Sequence, residues 1–413
     1  MPRYVAPAVL ALAAAVVVVP LWAQSRPAAE AAWPCHRGPS RDGISTEKDW
    51  LGNWPAGAKP TVAWTAEVGK GHSAIVVAAG RCYTMGSDGK NDIIRCLDAA
   101  TGREVWKQSY ACDARKEWSG PRATPTLDNG VVYTLSQHGH LRAYDAAKGQ
   151  LKWEVRLPEA ANPNEPYGHS WSPLVQGDLL ILSAGRGGLA VRKSDGSVAW
   201  GDPKQPGTCA SAVPYQHKNV KAVAVAVKQN DKVDIVGVDP ARGMELWRFA
   251  GWPEPAGDFC VDPIVRDGKV FITTGERHHK CARISFDGPK PKVDWENANL
   301  ASNTGQCVLV GDYLYGVGRS SGSLTCLKWD TGERVWKEAG FGEFGTLMAA
   351  DGKLIIMSSK GTLVIAEANG QKYVELRRVE KLLGDTFTTP TLAAGRIYCR
   401  DYSGKVVCLA TGK

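Results

Sequence analysis

At 413 residues the chain can hold one large β domain or two to three smaller ones, and its 44% hydrophobic and 22% charged residues are those of a globular rather than a disordered protein. The formal net charge is +8, but the basic residues form no run of five or more, which argues against a dedicated nucleic-acid binder. Gly (45) and Pro (24) are plentiful, as a fold with many turns requires, and 15 tryptophans are more than such a chain needs for an ordinary core.

The N-terminus, MPRYVAPAVLALAAAVVVVPLWAQS, has Arg3 before an apolar run from Val5 to Val19, then Pro20 and a small residue, Ala23. This is the pattern of a cleaved signal peptide over residues 1–23, and the run is short for a membrane span. The mature chain is expected in the periplasm or outside the cell, with no stable membrane span. Residues 24–59 form an extension containing WPCHRGPSRDGIS (33–45), and residues 60–413 carry a repeat.

A glycine in a tight turn recurs at Gly102, Gly149, Gly196, Gly243, Gly288, Gly332, Gly370 and Gly412, spaced by 38 to 47 residues. Four residues later stand Trp106, Trp153, Trp200, Trp247 and Trp336; Trp295 comes later because GPKPKVDW carries an insertion, and Val374 replaces Trp in the seventh copy. Before each turn lies a hairpin of alternating apolar and polar residues, such as DNGVVYTLSQHGHLRAYD (128–145), and before that a short apolar strand, such as ATPTL (123–127). Four-stranded units at this period specify an all-β, eight-bladed β-propeller of antiparallel blades. The chain stops at TGK, where the eighth unit lacks its outer strand, and PTVAWTAEV (60–68), with Trp64, supplies it and closes the ring. The tryptophans at 64, 106, 153, 200, 247, 295 and 336 are therefore structural staples on outer strands, each ring worth about 2–3 kcal/mol when buried against the next blade.

Eleven cysteines are an odd number. Cys96, Cys326 and Cys408 share one repeat position where Ala143 and Ala190 stand in other copies, so that position wants a small buried residue. Cys399 and Cys408 flank a hairpin and are the one disulfide pairing expected. His278, His279 and Cys281, like His138 and His140, read as exposed turn residues rather than metal ligands, because one hairpin tip lacks a full ligand set.

In a propeller the turns between first and second, and third and fourth, strands share one face; the remaining hairpin tips and the crossings between blades share the other. The second face has the long loops, such as QSYACDARKEWSG (108–120) and RLPEAANPNEPYGHS (156–170), and is the expected binding face. Residues near the start of the inner strands, His72, Arg122, His169, Trp171, Asp262, Asn303 and Phe344, are placed around the channel mouth there. Trp118, Tyr167 and Trp252 add loop residues of the kind enriched in interfaces.

LDAATGREVW, YDAAKGQLKW and LKWDTGERVW resemble the PQQ-like β-propeller repeat, which often reads A-x-D-x-x-T-G-x-x-x-W. The resemblance covers about residues 60–413 and extends to BamB-like propellers of the outer-membrane assembly machinery, which are non-enzymatic. WPCHRGPSRDGIS is similar to the opening of secreted bacterial PQQ-repeat proteins, with His36 where that pattern has an aromatic. The resemblance implies two functions. One is a non-catalytic, monomeric scaffold that binds a protein or glycan partner on the long-loop face, with no cofactor and no metal. The other is a quinoprotein dehydrogenase acting on alcohols or sugars, which needs PQQ, Ca²⁺ and a carboxylate base, with Asp262, Arg122 and Trp171 as the residues to cast in those roles. Such dehydrogenases also carry an adjacent Cys-Cys pair and large loop insertions, and this chain has neither. No nucleophile, zinc or phosphate-loop motif is present, so no catalytic residue is assigned.

Overall fold

The computed structural model describes Met1 and residues 32–412, apart from 114, 116–118, 162–166, 254–257 and 276. The expected signal peptide and Trp118 lie outside the described residues. No helix among the described residues is long and apolar enough to cross a membrane; a short helical turn lies at Glu159–Ala161.

The chain forms eight four-stranded antiparallel sheets arranged as a propeller. In seven blades the four strands run in chain order from the axis outward. The first spans Val76–Ala78, Arg81–Ser87, Asn91–Asp98 and Glu104–Ala111. The eighth is made from Thr391–Ala393, Arg396–Arg400 and Lys405–Ala410, and its outer strand is Thr61–Glu67, in the register Thr61↔Ala410 to Glu67↔Lys405. The ring is therefore closed by an N-terminal strand, which removes the open sheet edge. Middle strands are buried on both faces because each face meets a neighbouring blade; Ala222–Val227 is fully covered, and this is why it reads as an unbroken apolar run.

Every outer strand carries a β-bulge at the same place. The register shifts between Leu97 and Cys96, so that Glu104 faces Leu97, Trp106 faces Cys96 and Val105 is the extra residue; equivalent shifts occur in the other blades. A bulge increases local twist, and here it turns the tryptophan toward the next blade. Trp106 donates its indole N–H to the carbonyl of Ala146 at 2.9 Å, and its ring lies on Gly149 of the following turn. Trp64, Trp153, Trp200, Trp295 and Trp336 bond a carbonyl of the next blade in the same way, at 2.8–3.0 Å. The residue facing the tryptophan across the sheet is small in six blades, Cys96, Ala143, Ala190, Gly237, Cys326 and Cys408, and is Arg283 in the fifth. A small side chain there leaves room for the indole, which explains three of the cysteines by packing.

Trp247 departs from this pattern. Its N–H goes to the Tyr215 hydroxyl of its own blade at 2.7 Å, and its ring stacks on Phe286 with centroids 4.2 Å apart. The insertion after Gly288 removes the turn on which it would rest. In the seventh blade, where the tryptophan is missing, Trp50 and Trp54 of the extension are buried in the same apolar cluster as residues of the seventh and eighth blades, and Arg377 holds the Trp54 carbonyl at 2.8 Å.

The expected Cys399–Cys408 disulfide is not formed. Cys399 faces Val407 and Cys408 faces Tyr398 across the hairpin, so the two side chains project from opposite faces of the sheet.

Candidate functional site

The segment 33–47 lies on the propeller axis, because it bonds to all eight blades in turn. Trp33 pairs with Val77 of the first blade at 2.8 and 2.9 Å, and the Pro34 carbonyl accepts from Leu127 of the second at 2.8 Å. Arg41, only 1% exposed, donates to the carbonyls of Ser172 and Pro173 at the third blade and Ala212 at the fourth. His36 meets Asp262 of the fifth blade at 2.9 Å, and Arg37 reaches the Gln306 side chain and the Cys307 carbonyl of the sixth at 3.1 and 2.8 Å. Ile44–Ser45 adds a parallel strand inside the seventh blade, and Glu47 accepts from Gly395 of the eighth at 2.8 Å. Gly38 sits at φ +80° with the Trp33 ring 2.6 Å from where a Cβ would stand, so the tight turn of this plug admits glycine alone.

Above the plug, on the long-loop face, is a cavity of about 300 Å³. Its wall follows a rule. The residues four and two positions before each inner strand point into it: His72 and Ala74, Arg122 and Thr124, Ser170 and Ser172, Cys209 and Ser211, Cys260 and Asp262, Thr304 and Gln306, Phe344, and Phe387 and Thr389. The lower row forms a belt. The backbone N–H of Ala74 donates to Thr124 Oγ1 (3.1 Å), Thr124 to Ser172 Oγ (2.9 Å), Ser172 to Ser211 Oγ (3.0 Å), Ser211 to Asp262 Oδ1 (2.7 Å) and Asp262 to Gln306 Oε1 (3.0 Å). Each blade thus satisfies a buried donor of the preceding one.

Asp262 has both oxygens committed, Oδ1 to the belt and Oδ2 to His36. Burial alone would raise its carboxyl, but His36 and then Arg37 outweigh burial and hold it below the usual range. Burial pushes His36 the other way, below its ordinary value, against the pull of Asp262, and Arg37 lies 4.0 Å from the same carboxylate. Arg41 is likewise lowered by burial.

The upper rim is aromatic on one side and polar on the other. His72 is stacked between Phe387 and Tyr402, at 5.5 and 4.9 Å, and Phe344 packs on Phe387 at 4.4 Å. Arg122 donates to the Tyr167 carbonyl at 2.6 Å with its guanidinium 5.5 Å from that ring, and Arg319 lies 5.1 Å from the Phe344 ring.

Of the residues expected at the mouth, the cavity wall includes His72, Arg122, Tyr167, Asp262, Asn303 and Phe344. His169 and Trp171 are fully buried beneath it in the second-to-third blade core, and Trp252 is buried in the cluster joining the fourth and fifth blades. They stand three or five positions before the inner strand, or on an outer strand, and so point into blade seams. Sequence reasoning missed the plug residues His36, Arg37 and Arg41, and also Cys209, Cys260 and Phe387. The signal for the last three was their fixed offset from the inner strand. Among the described residues no cluster of three or more His, Cys, Asp or Glu side chains could hold a metal ion. His278 and His279 are exposed as expected, His279 meeting Ser320, but Cys281 is not an exposed turn residue: it is fully buried on the strand Lys280–Ser285, where its side chain points into the seam between blades and donates to Asn297.

A family model described as outer membrane protein assembly factor BamB matches residues 90–338. The chain is 20% identical to the outer membrane protein assembly factor BamB of Yersinia pestis over 84% of its own length and 88% of that protein. It is 28% identical to quinohemoprotein alcohol dehydrogenase ADH IIB of Pseudomonas putida, but over only 31% of its length and 19% of that enzyme. Among solved structures, BamB from Moraxella catarrhalis superposes with a TM-score of 0.61 at 17% identity, covering 85% of this chain and 97% of that one. The quinohemoprotein alcohol dehydrogenase from Comamonas testosteroni gives 0.68 at 14% identity, covering 93% and 81%. At these identities the two structures speak for the fold. The family model spans more than half of the chain, and the chain belongs to the outer membrane protein assembly factor BamB family.

Proposed function

We propose that this protein is a non-catalytic, exported and monomeric scaffold that binds a protein partner through the long-loop face, with the cavity mouth as the seat of contact. The observation that carries this reading is the state of the axis. The plug consumes the Asp262 carboxylate and Arg277 pairs with the Asp258 carboxylate of the cavity wall, while the rim presents Arg122, Arg319 and Phe344 around a preformed hollow. A rigid ring with aromatic and guanidinium groups at a concave mouth is the composition of an interface anchor site. The relatives named assembly factors support the same reading. A glycan partner is less well served, since carbohydrate recognition needs bare aromatic faces and His72 is already sandwiched between Phe387 and Tyr402.

The dehydrogenase alternative requires a Ca²⁺-assisted PQQ site, and the residues present do not fit it. Ca²⁺ takes six to eight oxygen ligands including carboxylates. Asp262 already accepts from two protein donors and is balanced by Arg37, and Trp171 is buried in a blade seam rather than offering a flat floor. Titration of the mature chain with PQQ and Ca²⁺, followed by tryptophan fluorescence, is expected to be flat.

The binding proposal is tested by site-specific photo-crosslinking in the native host. A photoreactive residue at position 344 is expected to give one discrete adduct, lost when Arg122→Glu is added. The same residue at Lys148, on the short-turn face, is expected to give none. Equal adducts from both faces would sink the proposal.

A further inference from the structure

We propose that Cys209 and Cys260 form a reversible thiol–disulfide pair that closes and opens by exchange with a small disulfide entering the cavity. Both are cavity-wall residues, and both stand four positions before an inner strand, in the fourth and fifth blades. Neighbouring blades bring equivalent positions side by side. The Cys209 N–H donates to the Phe259 carbonyl at 3.1 Å, which sets the two main chains at the separation of paired strands. Disulfides span Cα distances of roughly 4.4–6.8 Å, so the backbone need not move far to close the bond. The two thiols are near enough that each shifts the other's protonation.

Their setting differs from that of the other cysteines. The other nine cysteines are all buried, and burial raises each of their thiols above its ordinary value, which leaves them inert. Cys209 alone is lowered. The Cys260 thiol donates to it, Ser170 adds a hydrogen bond, and the Arg122 guanidinium across the cavity favours the thiolate, together outweighing burial. Cys260 is raised by the same contact. One sulfur is thus the nucleophile and the other holds the proton, the division that thiol–disulfide exchange needs.

The exchange balances as follows. The Cys209 thiolate attacks one sulfur of R–S–S–R, forming a mixed disulfide and releasing R–S⁻ with the electron pair. Cys260 gives its proton to that leaving group. Its sulfur then attacks Cys209 Sγ, forming the Cys209–Cys260 bond and expelling the second R–S⁻. The pair is oxidised by two electrons and the small disulfide is reduced to two thiols. A dithiol reverses the process. The bond joins the crossings into the fourth and fifth blades and fixes that part of the cavity wall.

The test uses the mature chain, reduced and then exposed to 2-hydroxyethyl disulfide, with remaining thiols blocked and peptides mapped by mass spectrometry. The expected result is a Cys209–Cys260 link formed before any other and reopened by dithiothreitol. Cys260→Ser is expected to trap the mixed disulfide on Cys209 about tenfold faster than on any of the nine buried cysteines, since the thiolate is the reacting form. Cys209→Ser is expected to leave Cys260 as slow as those nine; if this variant does not fold, the wild-type map decides. Absence of the 209–260 link, a link that dithiothreitol cannot open, or equal rates at all cysteines would overturn the proposal. None of these readouts depends on a protein partner, so the binding proposal stands or falls separately.

Discussion

Replacing Gly149 by alanine isolates the contact between one blade's tryptophan and the next blade's turn. Gly149 has φ +72° and Gly130 has φ +75°, so alanine at either site meets the same left-handed backbone, at a cost of about 1–2 kcal/mol. The surroundings differ. A Cβ at 149 would stand 2.6 Å from the Trp106 ring, whereas a Cβ at 130 meets nothing within 4 Å. Gly149→Ala must therefore also push Trp106 off its seat and weaken its bond to the Ala146 carbonyl, adding about 1–2 kcal/mol for the lost hydrogen bond and packing. Urea unfolding of the two variants should show Gly149→Ala losing about twice as much stability as Gly130→Ala. In a Trp106→Ala background the excess should vanish, leaving a coupling of about 1–2 kcal/mol in a double-mutant cycle. Equal losses at the two glycines, or additive effects with Trp106→Ala, would refute the account of the repeated Gly-to-Trp spacing given above.

Arg41→Met leaves three carbonyls from two blades buried without their donor, at about 1–3 kcal/mol each, and should lower the midpoint of thermal unfolding by several degrees; an unchanged melt would show that the plug does not tie the blades. Trp54→Ala should cost about 3–5 kcal/mol and expose the seventh-to-eighth blade seam to limited proteolysis. Asp92 is buried, and burial raises its carboxyl from the ordinary aspartate range to about 7. The folded state therefore holds a proton that the unfolded chain has lost, so this group's stabilisation is complete below about pH 4, falls as pH rises to about 7 and is flat beyond. Asp92→Asn should remove that slope and make the variant relatively more stable at pH 8 than at pH 4, as measured by urea midpoints across the range.

The repeat made the blades legible because each blade is local in sequence and carries its own turn glycine and tryptophan. The closing strand was legible from the residue deficit in the last copy and from Trp64. The site was legible only in part. Offsets from an inner strand placed Arg122, His72 and Phe344 at the mouth, but alternation in an extended segment decides which neighbours face inward. Ser170 and Ser172 line the cavity while His169 and Trp171 turn into the core, and the larger side chains were the more tempting choice. The plug was hidden for another reason. RGPSRDG is charged and glycine-rich, the composition of a solvated loop, yet Arg37 and Arg41 are buried because inner-strand carbonyls from several blades converge on the axis. That convergence exists only after the ring has formed.

The closing strand also has a consequence for the order of events during synthesis. Thr61–Glu67 leaves the ribosome among the first strands, but its partner, Lys405–Ala410, is among the last. Until then its apolar edge stays exposed and the pairing, at very large sequence separation, waits for everything between. The axial segment cannot settle earlier either, since its eighth anchor is Gly395. Closure of the ring therefore waits for Lys405–Ala410, and deletion of that strand should leave seven blades without a clasp.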